Sequence, residues 1–144
     1  MTNKIFLTPI IFIGVIFLIL GISWIVVDEP WLLDRVANEE KLNMTFDQLF
    51  NEEINDSLPS YLKQIYRFFG LWVCIIGIFI VSFARLKFIE NKAFAKSLLI
   101  CMAILVISSQ IFGYLLIPNS PFIYLGWGSI ILLLFSFWCY KKLY

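Results

Sequence analysis

Four stretches of this chain are long and apolar enough to dictate a membrane fold before any other feature is weighed. A hydrocarbon core about 30 Å thick is crossed by roughly 20 helical residues, and inside it every backbone N–H and C=O must be paired within its own segment. The first run, Ile5 to Val27, carries no charge. The second is nominally Phe68 to Ala84, between Arg67 and Arg85; both side chains can reach out to the headgroups, and the helix is expected to begin earlier. A third run extends from about Ser97 to Ile117 and a fourth from about Phe122 to Tyr140, with Pro118-Asn119-Ser120-Pro121 as a compact turn between them. The expected fold is all-α: residues 1–144 form one membrane domain, a four-transmembrane-helix bundle with spans at about 5–27, 66–85, 96–117 and 121–140. The outer loop, 28–65, is expected to hold short amphipathic helices. Ile5 to Val27 is too long for a signal-peptide core, and Gly21-Ile22-Ser23-Trp24 is a poor cleavage site, so this segment is read as a retained helix.

Composition narrows the chemistry. With 61% hydrophobic and 15% charged residues the chain lies outside the range of soluble domains. A net charge of +1, with the basic residues scattered, argues against a nucleic-acid partner. The absence of histidine removes the commonest general base and metal ligand. Cys74, Cys101 and Cys139 form no C-x-x-C pair and read as small apolar packing residues.

Basic residues set the expected orientation. Arg85, Lys87, Lys92 and Lys96 crowd the short connection between spans two and three, and Lys4 and Lys141-Lys142 lie near the termini. The opposite side carries only Arg35, Lys41, Lys63 and Arg67, in a long loop that also holds nine of the ten acids. The positive-inside rule therefore predicts cytoplasmic N- and C-termini in a cell membrane and an extracytoplasmic loop 28–65.

Within that loop, Asp28 and Pro30 are expected to cap and start a short helix seated on the interface by Trp31, Leu32 and Leu33. Thr45-Phe46-Asp47-Gln48 fits a capping box, followed by Phe46, Leu49, Phe50 and Ile54 at helical spacing. Ser57-Leu58-Pro59-Ser60 reads as the true start of the second span. Asp28, Glu29 and Asp34 come out at the depth of Arg67, so at least one of them is expected to pair with it as an outer-interface ion pair.

Inside the spans, Gly14 with Gly21 and Gly70 with Gly77 are each spaced seven apart, marking one face per helix on which a neighbour can come close. The polar feature that stands out is Ser108-Ser109-Gln110 with Gly113 in the third span. The Gln110 amide cannot be satisfied by hydrocarbon, so it faces another helix, a cavity or a ligand. An interhelical hydrogen bond is the expected arrangement, with Gly126, Gly128 and Ser129 as the facing surface. No Asp, Glu, Lys or Arg lies inside any span, which argues against carboxylate-dependent exchange of the four-helix multidrug kind.

The loop acids are plentiful hard oxygen donors, but no D-x-[DN]-x-[DN]-G pattern gathers them, and no metal site is expected. Asn43-Met44-Thr45 matches the N-glycosylation tripeptide. Trp24, Trp31, Tyr61, Tyr66, Trp72, Tyr114 and Tyr124 are expected in an outer aromatic belt, and Trp138, Tyr140 and Tyr144 in an inner one.

The layout resembles the small uncharacterised four-span integral membrane proteins of bacteria and archaea. The likeness lies in DEPWLLD after the first span, PSYLKQIYRFFGLWVCIIGIFI opening the second with Tyr66, Arg67 and Gly70, and the basic connection ARLKFIENKAFAK. It implies a four-helix bundle and no particular activity. Vitamin K epoxide reductase and the periplasmic disulfide-generating proteins share only the helix count, because their cysteine pairs are missing; claudin-like proteins differ in lacking W-x-x-W and paired loop cysteines.

The expected function is that of a non-enzymatic accessory, assembly or structural subunit of a membrane complex, without a cofactor. Its partners would be the lipid bilayer and other membrane subunits or a second copy of the chain. One alternative is a small-molecule binding or transport protein with a cavity at Gln110, Ser109 and Tyr114. Another is a subunit of a membrane enzyme whose cofactor a partner holds.

Overall fold

The computed structural model describes residues 2–144, which are mostly helical with no strand among them. Four helices are long and apolar enough to cross a membrane: α1 (Thr2–Val26), α4 (Leu58–Phe83), α6 (Lys92–Leu116) and α7 (Phe122–Leu143). Three short ones complete the chain: α2 (Arg35–Leu42) and α3 (Phe46–Asn51) between α1 and α4, and α5 (Leu86–Ile89) between α4 and α6. The all-α, four-span architecture of a multi-pass membrane protein is as expected from the apolar runs. Helix α4 reaches further back than the 66–85 span, because Pro59 sits in its first turn, where no N–H is required and the ring's fixed φ already suits a helix.

The helices pack in the order α4, α1, α7, α6. Helices α1 and α4 run antiparallel with their glycines in register, Gly14 opposite Gly77 and Gly21 opposite Gly70. A Cβ added to Gly21 would lie 2.6 Å from the Gly70 carbonyl oxygen, and one on Gly77 would lie 2.8 Å from that of Gly14. The two backbones are in contact, and only glycine permits it. Hydrocarbon supplies no hydrophobic drive between helices, so such close packing is what holds them together.

The end of the bundle that carries the chain termini is tied by its own contacts. Phe6, Ile10, Ile13, Ile89 and Met102 are fully enclosed there, and the Ser136 hydroxyl donates to the Phe6 carbonyl at 3.3 Å. The Tyr144 hydroxyl donates to the Ile89 carbonyl, which fastens the last residue to α5.

At the other end the 28–57 segment folds down as a small lid of its own. Trp31, 4% exposed, packs against Phe46 and Phe50 with ring centroids 6.2 and 5.4 Å away. The expected capping box is present: the Thr45 hydroxyl accepts from the Gln48 N–H at 3.2 Å while the Gln48 amide oxygen accepts from the Thr45 N–H at 3.0 Å. Three expectations for this segment are corrected. Residues Pro30–Asp34 form a 3-10 turn with no side-chain cap bond, because the Asp28 carboxylate is drawn instead to the Lys63 ammonium at 2.9 Å. Trp31 is interior to the lid rather than seated on the interface. Helix α3 stops at Asn51, which leaves Ile54 90% exposed.

Candidate functional site

Helix α6 packs on α7 but stands off from α4, and this gap defines the site. At the lid end it opens into a cavity of about 450 Å³, within the usual size of small-molecule sites. Phe17 and Leu20 of α1, Val73 and Ile76 of α4, and Leu105 and Val106 of α6 make its walls apolar. A second groove of about 310 Å³ continues between α4 and α6 toward the termini, bordered by Phe79, Phe83, Phe94 and Met102, and Leu105 lines both.

Three polar side chains on the first cavity are more than nine-tenths buried and each has an atom without a hydrogen-bond partner. Gln110, 6% exposed, lies over Gly126 of α7, where any Cβ would overlap its amide; its Nε2 donates to nothing. Trp24, 8% exposed, meets Phe69 and Phe122 edge-on at 4.9 and 5.1 Å, and its indole N–H is unpartnered. Asp34, 6% exposed, ends the 3-10 turn and stands at the N-cap of α2, yet caps no backbone N–H; its Oδ1 has no partner. An unpaired polar atom costs on the order of 1–3 kcal/mol when buried, so three on one cavity are a concentrated liability.

Electrostatics make Asp34 the unusual member. Burial pushes its carboxyl above the ordinary value of 3.8, with the Ser120 hydroxyl beside it pulling in the opposite direction. Among the described residues no cation lies within 4 Å of it: the Lys63 ammonium holds Asp28, and Arg35 is drawn to Glu39 at 2.8 Å and Asp47 at 3.9 Å. Asn38 donates to the Trp31 carbonyl at 3.3 Å and to the Tyr66 hydroxyl at 3.0 Å, which leaves Tyr66 its own proton to give into the cavity. The exposed acids behave differently. Lys63 holds the Asp28 carboxyl below its ordinary value, and the Phe46 N–H, with Arg35, does the same for Glu39.

Of the residues singled out in the third span, Ser109, Gln110 and Gly113 line the cavity. Ser108 does not: its hydroxyl donates back to the Ile104 carbonyl at 2.6 Å, within its own helix. The expected interhelical hydrogen bond from the Gln110 amide nitrogen is not made, because Gly126 offers it close packing but no side-chain acceptor. Tyr114 points away, 59% exposed.

The outer ion pair forms with a different cation. Among the described residues Arg67 makes no ion pair within 4 Å, and neither does Glu29, whereas Asp28 pairs with Lys63. Because α4 begins at Leu58, Lys63 is the residue level with the end of α1; Arg67 sits one turn deeper and acts on Asp28 only at longer range. Asp34 joins neither cation.

Sequence reasoning missed Trp24, Asp34, Asn38, Tyr66 and Ser120 as cavity residues. A signal was present in the three-residue spacing of Trp31, Asp34 and Ala37, which share one side of a helical turn and are all buried. Asp34 instead reads as an interface acid level with Arg67. Among the described residues no three His, Cys, Asp or Glu side chains gather as metal ligands would. No protein-family model, curated protein or solved structure matches this chain.

Proposed function

We propose that this membrane protein binds a small amphipathic molecule inside its own bundle, between α4 and α6, and does so without covalent chemistry. The observation that carries this reading is the convergence of three buried, unpartnered polar atoms, two donors and one acceptor, on one apolar-walled cavity. A ligand bearing both acceptor and donor groups would satisfy them, and the apolar walls suit its hydrocarbon part. The arrangement contains no nucleophile held against a base, and the chain has no histidine to serve as one.

The cavity is reached from the side. Since α4 and α6 scarcely touch, a molecule dissolved in the bilayer can enter along their gap rather than through the lid. With the loop placed outside by the positive-inside rule, the polar end of the site lies near the extracytoplasmic surface.

Solvent extraction of protein purified in a mild neutral detergent, followed by mass spectrometry, tests the reading. A small amphipath is expected at near-stoichiometric amount with the natural chain and much less with Val73→Phe, which puts a ring into the cavity. Equal recovery from both would defeat the proposal.

The accessory-subunit reading keeps one specific support. Gly128 of α7 faces open space, with no atom within 4 Å of a Cβ built on it, between exposed Tyr124 and Trp127. This is a notch into which a partner helix fits. Copurification with a partner that is lost in Gly128→Leu would support it; a free monomer in every gentle detergent would end it.

A further inference from the structure

We infer that the cavity selects a single-tailed lipophilic amine with an oxygen acceptor beside the nitrogen, the ammonium group seated on Asp34, the oxygen facing the Trp24 and Gln110 N–H groups, and the chain running down the α4–α6 gap past Leu105. The inference rests on the small-molecule reading and specifies the class of ligand.

The polar end of the cavity carries one charge-bearing group. Asp34 is held there by the Trp31-centred packing of the lid, its Oδ1 unpartnered and, among the described residues, no cation within 4 Å. A buried carboxylate without a counter-ion is among the least favourable arrangements a fold can keep. Arg35 is drawn to Glu39 and Lys63 to Asp28, and neither Lys41 nor Arg67 comes within 4 Å of the Asp34 carboxylate. A cation supplied from outside would complete the site, and charge-assisted hydrogen bonds from an N–H donor are roughly twice as strong as neutral ones. The neighbouring aromatic rings of Trp24 and Phe69 are also hospitable to an ammonium group.

The remainder of the site accepts hydrocarbon and not a second charge. Beyond the Trp24 and Gln110 N–H groups the walls are apolar, and the groove that continues toward Phe79, Phe83 and Met102 is lined almost wholly by carbon. A compact hydrophilic cation would leave this surface empty, whereas a chain of some ten carbons attached to an amine occupies it. The spans contain no acid of their own, so the lid delivers to the bundle the carboxylate that the transmembrane sequence lacks.

The test compares n-decylamine, n-decanol and decanoate at equal concentration, each added to the full chain in a neutral maltoside detergent at neutral pH. The readout is the rise in thermal midpoint, which a ligand specific to the folded state must produce. Decylamine is expected to bind about tenfold more tightly than decanol, and decanoate more weakly than either. Asp34→Asn should remove the advantage of the amine over decanol. Equal effects of decylamine and decanol on the natural chain would overturn the inference while leaving the cavity reading intact. That comparison needs no variant, so it decides even if Asp34→Asn folds poorly. A decylamine effect that survives Val73→Phe would place the amine on the exposed loop acids and would also overturn it. Silence from all three probes would instead defeat the small-molecule reading itself.

Discussion

Helix α4 has two neighbours and treats them oppositely. Against α1 it makes a dry seam in which glycine carbonyls touch the facing backbone; against α6 it leaves a gap that holds both cavities. Both seams join apolar helices of nearly equal length, so hydrophobicity does not distinguish them. The difference lies in small residues. Gly70 and Gly77 fall on the side of α4 that meets Gly21 and Gly14, while Val73, Ile76 and Phe79 face α6 with side chains that hold it off. In a bilayer, where lipid is as apolar as leucine, close approach has to be built residue by residue, and where it is not built a cavity can remain.

The strongest way to break this contrast is to place the same kind of bulk on each seam. Gly21→Leu would drive a side chain into the Gly70 carbonyl and the Cys74 backbone, groups that cannot move aside. Overpacking of this sort costs about 3 kcal/mol or more, so loss of monodisperse protein on size-exclusion chromatography is expected. Val73→Phe, on the cavity face of the same helix, should shift stability by less than about 1 kcal/mol because the new ring enters open space. Similar losses from both substitutions would mean that the α4–α6 gap closes in the folded protein.

The two seams were also unequally legible in sequence. The glycine seam was readable because a seven-residue spacing places two small residues on one helical face, whatever the rest of the chain does. The cavity was only half readable. Gln110 announced itself as an amide in hydrocarbon, and its neighbours Ser109 and Gly113 followed from helical geometry. Asp34 did not, because its burial depends on a 3-10 turn that carries it beneath the lid and beside Ser120, more than 80 residues away in the chain. The Lys63 pairing was missed although the helix start was legible: from a start at Leu58, Lys63 stands one turn nearer the lid than Arg67 and meets Asp28 first.

Asp34→Asn tests whether the open seam bears an electrostatic cost. The natural carboxyl titrates above its ordinary 3.8 because burial disfavours the charged form. The folded state therefore binds the proton more tightly than the unfolded state, and this group's penalty is present in full at pH values above its raised value. The Asn variant, without ligand, should be more stable than the natural protein by about 1–2 kcal/mol at neutral pH. That gap should shrink as pH falls through the raised value and vanish below 3.8, where the carboxyl is protonated in both states. Asp28 and Glu39 titrate in both proteins and cancel in the difference. A natural chain more stable than the variant at neutral pH would mean that the carboxylate already has a counter-ion.

Lys63→Ala supplies the smallest effect and the matching control, because it removes the charge pair that sits at the lid end of the tight seam. Asp28 is 89% exposed in that pair, so water and salt screen the interaction at about 0.15 M ionic strength, where the Debye length is about 8 Å. No measurable change in thermal midpoint is expected at neutral pH, although the Asp28 carboxyl should return upward toward 3.8 once the ammonium that lowers it is gone. A loss as large as the gain from Asp34→Asn would show that the α1–α4 seam depends on its outer ion pair as well as on its glycines. Without such a loss, backbone contact alone accounts for the closed seam, and a charge matters to this bundle only where the protein has hidden it from water.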